Sequence, residues 1–119
     1  MKKILFFLAV VIALSSCESS ELHDSMEDMG KTYKAMSKSE DFAVIKEKYA
    51  DLKSSFDIAV AQQVHPEEQA TFKEGMDKMA DLLQQLETAI AADDVDGAKH
   101  ILKQLGDNRE DYHEKLGID

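Results

Sequence analysis

The chain has no tryptophan, one cysteine, one proline and five glycines among its 119 residues. A lone cysteine excludes an internal disulfide and the usual cysteine-rich cages of structural zinc. So little proline and glycine leaves room for long, uninterrupted helices. Positive charge is also scarce: 14 Lys and Arg stand against 24 Asp and Glu, a formal net charge of −10. Nucleic acid is therefore not an expected partner, because there is no basic patch to displace counterions from phosphate. No strand-like alternation of apolar and polar residues competes with helical spacing. No nucleophile–base pair, phosphate-binding loop or paired carboxylate set stands out, and an enzyme is not expected.

What the chain does have begins with a basic tip, Lys2 and Lys3, and an apolar run from Ile4 to Leu14. That run is eleven residues long, whereas a bilayer-crossing helix needs about 20. It reads as a signal peptide. Its end, Leu14-Ser15-Ser16-Cys17, resembles the bacterial lipobox, which implies cleavage before Cys17 and a diacylglycerol on its sulfur. An ordinary secretory signal with an incidental cysteine is the alternative. The expected organisation is a lipoprotein signal peptide at 1–16, a lipidated Cys17 with a short tether to residue 20, and one helical domain at 21–119. Loss of Lys2 and Lys3 takes the mature charge from −10 to −12.

After the tether, apolar residues recur at helical spacing in four blocks. Leu22, Met26, Met29, Tyr33 and Met36 form the first, which Ser37 and Ser39 interrupt. Phe42, Ile45, Tyr49, Leu52, Phe56 and Ala59 form the second, expected over about 41–64. The third follows Pro66, a residue favoured at a first helical position, and carries Phe72, Met76, Met79, Leu83, Leu86 and Ile90. The fourth follows Asp93-Asp94, good N-cap residues, and carries Ala98, Leu102, Leu105, Arg109, Tyr112 and Leu116. Gly106 falls inside it, and the helix is expected to continue through at a cost of about 1 kcal/mol. Four amphipathic helices with short connections run antiparallel to their neighbours. The expected fold is all-α, an up-down-up-down four-helix bundle.

In that topology the first helix starts where the fourth ends. Met26 and His113 then lie near the same end of the bundle, where the third helix brings Phe72 and Met76. A thioether and an imidazole facing each other across a bundle suggest axial ligation of haem iron, and Met/His ligation raises the reduction potential. Covalent c-type attachment would need cysteines at Arg109 and Tyr112, so any haem here is held without thioether bonds.

These residues also carry a family resemblance. ELHDSMEDM, residues 21–29, resembles the opening DLEDNMETL of cytochrome b562, a periplasmic four-helix b-type cytochrome. NREDYHEK, residues 108–115, resembles its closing TRNAYHQK, and FKEGMDKM, residues 72–79, resembles FRHGFDIL, which lines the haem slot. The second helix is similar only weakly, and the family chain is not lipidated. The resemblance implies one non-covalent haem b, with Met26 and His113 as axial ligands. It implies Met29, Phe72, Met76, Arg109 and Tyr112 as further haem contacts. Met76 replaces a slot phenylalanine, which softens the wall. Gly117 replaces a basic residue, which puts one propionate contact in doubt, while Arg109 remains.

Taken singly, Met26 reads as core and His113 as a surface or satisfied core histidine; only their meeting favours ligation. His23, His65 and His100 read as surface or mid-helix residues. Two other functions stay open. His23, Met26 and Met29 spell H-x-x-M-x-x-M, and soft thioethers with an imidazole suit Cu(I), so a periplasmic copper-binding lipoprotein is one. A haem-free helical lipoprotein that binds proteins through its acidic surface is the other. Under the haem reading the chain is a periplasmic, lipid-anchored monomer that exchanges electrons with a membrane-associated redox partner.

Overall fold

The computed structural model describes residues 21–117. The expected signal peptide, Cys17 and tether lie outside the described residues. Four helices make up the described chain: α1 over 21–38, α2 Phe42–Val60, α3 Gln69–Ala91 and α4 Val95–Leu116. No strand occurs among the described residues, and none of the described helices is long and apolar enough to cross a membrane.

Side-chain contacts between the helices establish an up-down-up-down bundle. Gln62, just past α2, donates to Glu21 at the start of α1 (3.3 Å). At the opposite end, Lys46 near the start of α2 pairs with Asp93 after α3. Tyr49 of α2 donates to the Leu83 carbonyl of α3 (3.1 Å). Tyr112 near the end of α4 donates to Glu74 near the start of α3 (2.8 Å). The four apolar faces meet in one core, in which Met36, Ile45, Leu83 and Leu86 are fully buried. Each such side chain contributes about 1.5–3 kcal/mol from removal of its surface from water. The exposed i,i+4 ion pairs, such as Lys53–Asp57 and Lys73–Asp77, add only a few tenths each.

The helix ends follow local chemistry. Asp41 caps α2 by accepting the Ala43 N–H (2.9 Å), and Asp94 caps α4 by accepting the Gly97 N–H (2.9 Å). Asp93, by contrast, takes a left-handed φ of 54° in the turn. Gly117 stops α4 with a left-handed φ of 70°, returning its N–H to the Glu114 and His113 carbonyls, the usual work of a glycine just past a helix.

Three details depart from the sequence-based expectation. Pro66 is not the first residue of α3. The segment 66–68 forms a turn, with Glu68 N–H bonded to the His65 carbonyl and Gln69 N–H to the Pro66 carbonyl. The helix starts only at Gln69. α2 ends at Val60 rather than near 64. Arg109 lies at an apolar position by spacing yet is exposed, because the helix it faces offers it a glycine and not a packing side chain. The other doubtful point resolves as expected: α4 runs unbroken through Gly106.

Candidate functional site

The α1–α4 interface is built on two glycines. A Cβ on Gly106 would overlap the Tyr33 hydroxyl, and a Cβ on Gly30 would meet the Arg109 guanidinium at 3.6 Å. Tyr33 therefore faces Gly106. Three residues back along α1, Gly30 faces Arg109, three residues on along α4. One more turn in the same register, four residues on each helix, sets Met26 level with His113. The helical phase agrees. Met26, Gly30 and Tyr33 follow i, i+4, i+7 on α1, and Gly106, Arg109 and His113 follow i, i+3, i+7 on α4, so each set shares one face. Continued by one turn, that register brings Met26 and His113 toward the same level on the two helices.

Both residues are half-buried, and Met26 packs against the core. Burial holds the His113 imidazole below the ordinary histidine pKa, and the Arg109 charge lowers it further. The neutral ring is the form whose free nitrogen binds a metal. Arg109, His113, Tyr33, Gly106, Lys103 and Glu110 line a cleft of about 640 Å³ along this face. Met29, Phe72 and Met76 do not line this cleft; they are buried in the core at 6%, 5% and 4% exposure. Phe72 and Met76 flank Gly75, which packs on the Tyr112 ring, so they lie near the level of His113.

Tyr112 points elsewhere. It is buried, hydrogen-bonded to Glu74 of α3, and turned about 100° around the helix from His113. The structure thus places His113 and Arg109 together on the cleft of the α1–α4 face, with Met26 not among its lining residues, and sends Tyr112 to α3. Met29, Phe72 and Met76 lie in the core below.

The copper-type triad does not converge. The His23 side chain is 78% exposed and pairs with Glu27 at 3.5 Å, whereas Met29 is in the core. His65 and His100 are exposed. Among the described residues, no group of three or more His, Cys, Asp or Glu side chains is placed to hold a metal ion.

Several residues of this region escape a reading by motif. Tyr33 reads as one more apolar position, and nothing in the spacing announces that its hydroxyl end seats on Gly106. Lys103 carries no signal as a cleft residue. Ser25, next to Met26, is a buried polar side chain whose hydroxyl bonds the Glu21 and Leu22 carbonyls of its own helix (2.9 and 3.0 Å).

An antiparallel four-helix bundle is an architecture that can hold a cofactor between its helices. Residues 21–116 match the family model described as Cytochrome b562, and the chain belongs to that family. Its members are haem-binding four-helix bundles that carry electrons and are not enzymes. Comparison with curated proteins and with solved structures gave no match.

The residues present fit a haem. Its iron would need donor side chains, and a thioether at Met26 and an imidazole at His113 are of the right chemistry to supply them. Its porphyrin would need apolar surroundings, and Met29, Phe72 and Met76 are the apolar side chains that could supply them, though all three are closed in the core and none lines the cleft. Its carboxylates need a cation, and Arg109 stands on the same face.

Proposed function

We propose that the chain is a b-type haem electron carrier in which Met26 and His113 are the axial ligands of one non-covalently held haem. The register of α1 on α4, set by Tyr33 on Gly106 and Gly30 on Arg109, is the observation that carries this reading. Bound haem would supply a one-electron iron couple, whose potential a thioether ligand raises. The protein's own part is to hold the donors and exclude water. Low-pKa His113 offers its ring without first shedding a proton. Met29, Phe72 and Met76 supply the dry wall, and the softer Met76 lets that wall adapt. Arg109 pairs with a haem carboxylate as a charge-assisted contact. Two axial donors leave no open position for a substrate, in keeping with a carrier.

The same reading places the mature chain in the periplasm as a monomer, anchored through lipid on Cys17. Four extended residue steps from Cys17 to Glu21 span at most about 14 Å, so the α1 start is held close to the membrane. Met26 and His113 lie toward that end of the bundle, which favours a membrane-associated redox partner over a freely diffusing one.

Spectroscopy of the purified mature protein tests the central point. Stoichiometric haem uptake with a sharp reduced Soret band and split visible bands is the expected result. Colourless protein that binds Cu(I) instead, or haem that remains high-spin in the wild type, would overturn it.

A further inference from the structure

Tyr112 adjoins His113 in sequence but does not share its face, and its surroundings are unusually complete. Its ring lies against Gly75 of α3 so closely that a Cβ there would come within 2.7 Å of Cγ and 2.9 Å of Cδ1. Its hydroxyl donates to Glu74 (2.8 Å), and that hydrogen bond is the main reason the Glu74 carboxyl is held below its ordinary pKa. The Lys78 and Lys115 ammonium groups lie 5.2 and 4.5 Å from the ring centroid. One turn earlier on α4, the Asn108 amide donates to the Gly75 carbonyl (3.2 Å). Asn108 and Tyr112 thus grip the same residue of α3 from two points on α4. Two points on one face fix both the slide and the rotation of a helix.

We infer that Tyr112 is a positioning residue: seated in the Gly75 notch and tied to Glu74, it sets the rotation of α4 and so the direction in which His113 presents its imidazole toward Met26. The inference rests on the haem reading above. The lever is short and stiff. Side-chain atoms at the rim of a helix lie about 5–6 Å from its axis. A rotation of about 20° moves such an atom by about 2 Å, more than a directed coordination bond tolerates. The α1–α4 contacts at Gly30 and Gly106 set the slide of α4 along α1, whereas its rotation is held from the α3 side, where Asn108 and Tyr112 grip Gly75.

The test uses the haem-loaded mature chain and reads optical spectrum, paramagnetic g values of the oxidised form, midpoint potential and melting temperature. Gly75→Ala drives the ring out of its notch. It is expected to lose low-spin intensity, shift the g values and move the potential. Tyr112→Phe keeps the ring seated and loses only the hydroxyl tie, and is expected to shift the g values less than Gly75→Ala does and to melt lower. If Tyr112 merely packs, both variants melt lower while g values and potential stay at wild-type values, and the inference fails. Should Gly75→Ala not fold, Asn108→Ala removes one of the two grips and is expected to shift the g values less; unchanged g values and potential there overturn the inference equally. A wild type without low-spin haem overturns the haem reading and this inference with it. A low-spin wild type with unaffected variants overturns this inference alone.

Discussion

The hydroxyl end of Tyr33 on α1 rests against the bare backbone of Gly106 on α4. A glycine in mid-helix costs about 1 kcal/mol relative to alanine, and here it opens the space that this ring occupies. From that contact the register runs one turn to Gly30 and Arg109 and a further turn to Met26 and His113.

A double-mutant cycle measures the contact. In a Tyr33→Ala background, Gly106→Ala is expected to stabilise the bundle by about 1 kcal/mol from helix propensity. In the wild-type background the gain should shrink or reverse, because the tyrosine must swing aside. Urea unfolding of the four proteins gives the coupling; additive effects would mean that the ring and the glycine do not depend on each other.

The ligand pair predicts two unequal losses. Met26→Ala is expected to keep the helices, turn the haem five-coordinate or high-spin and lower its potential. His113→Ala should weaken haem retention more severely. Wild-type low-spin spectra from both variants would rule the assignment out. Met29, one turn from Met26, would then be the first replacement to examine.

Haem that binds the folded bundle and not the unfolded chain stabilises the fold by mass action. The loaded protein should melt higher than the haem-free protein, by an amount that grows with free haem concentration. Equal melting temperatures across a haem titration would count against a specific site.

Tyr49 predicts a loss of stability in alkali. Burial, followed by the neighbouring Glu87 charge and hydrogen bond, pushes its pKa up to about 12 from 10.0. The raised pKa means that the folded state keeps the proton longer than the unfolded chain does. The stabilisation is fully present below the unfolded value and is lost as pH rises through about 10 to 12. Tyr49→Phe should flatten this part of the stability–pH curve, and an unchanged curve would dismiss Tyr49 as its source.

At the other end of the molecule, Asp94 satisfies the Gly97 N–H at the start of α4. Asp94→Ala is expected to cost about 1 kcal/mol in thermal or urea unfolding. Asp94→Asn retains an accepting oxygen and should recover most of it. The haem spectrum should not change in either variant, because this cap lies at the end of α4 remote from His113.

The apolar spacing of 3 and 4 residues in four blocks determines the helices and the face each one buries. Ile45, Leu52, Phe56, Leu83, Leu86, Ala98 and Leu102 sit where that spacing puts them, because periodicity reports which side of a helix faces a core. Asp41, Asp94 and Gly117 mark helix ends through short-range hydrogen bonds and backbone preference, which are local in sequence. Short connections then leave an antiparallel bundle as the natural arrangement, which puts the start of α1 and the end of α4 at one end. Pro66 misleads because a proline suited to a first helical turn suits the turn before a helix as well.

The relation between helices is not written in any one of them. Periodicity defines a helix face only to within a residue or so, and register depends on which knobs find which gaps. Here the gaps are Gly30, Gly75 and Gly106. Their partners Arg109, Tyr112 and Tyr33 come from 37 to 79 positions away in the chain. Spacing alone therefore treats Arg109 as a core position, and the family resemblance makes Tyr112 a neighbour of the same site as His113. Tertiary packing leaves Arg109 exposed on the α1 side and locks Tyr112 onto α3. The sequence by itself determined four helices and the face that each one buries. Only the tertiary structure decided how far each helix slides and turns against the next, because that choice is made by contacts between residues distant in sequence.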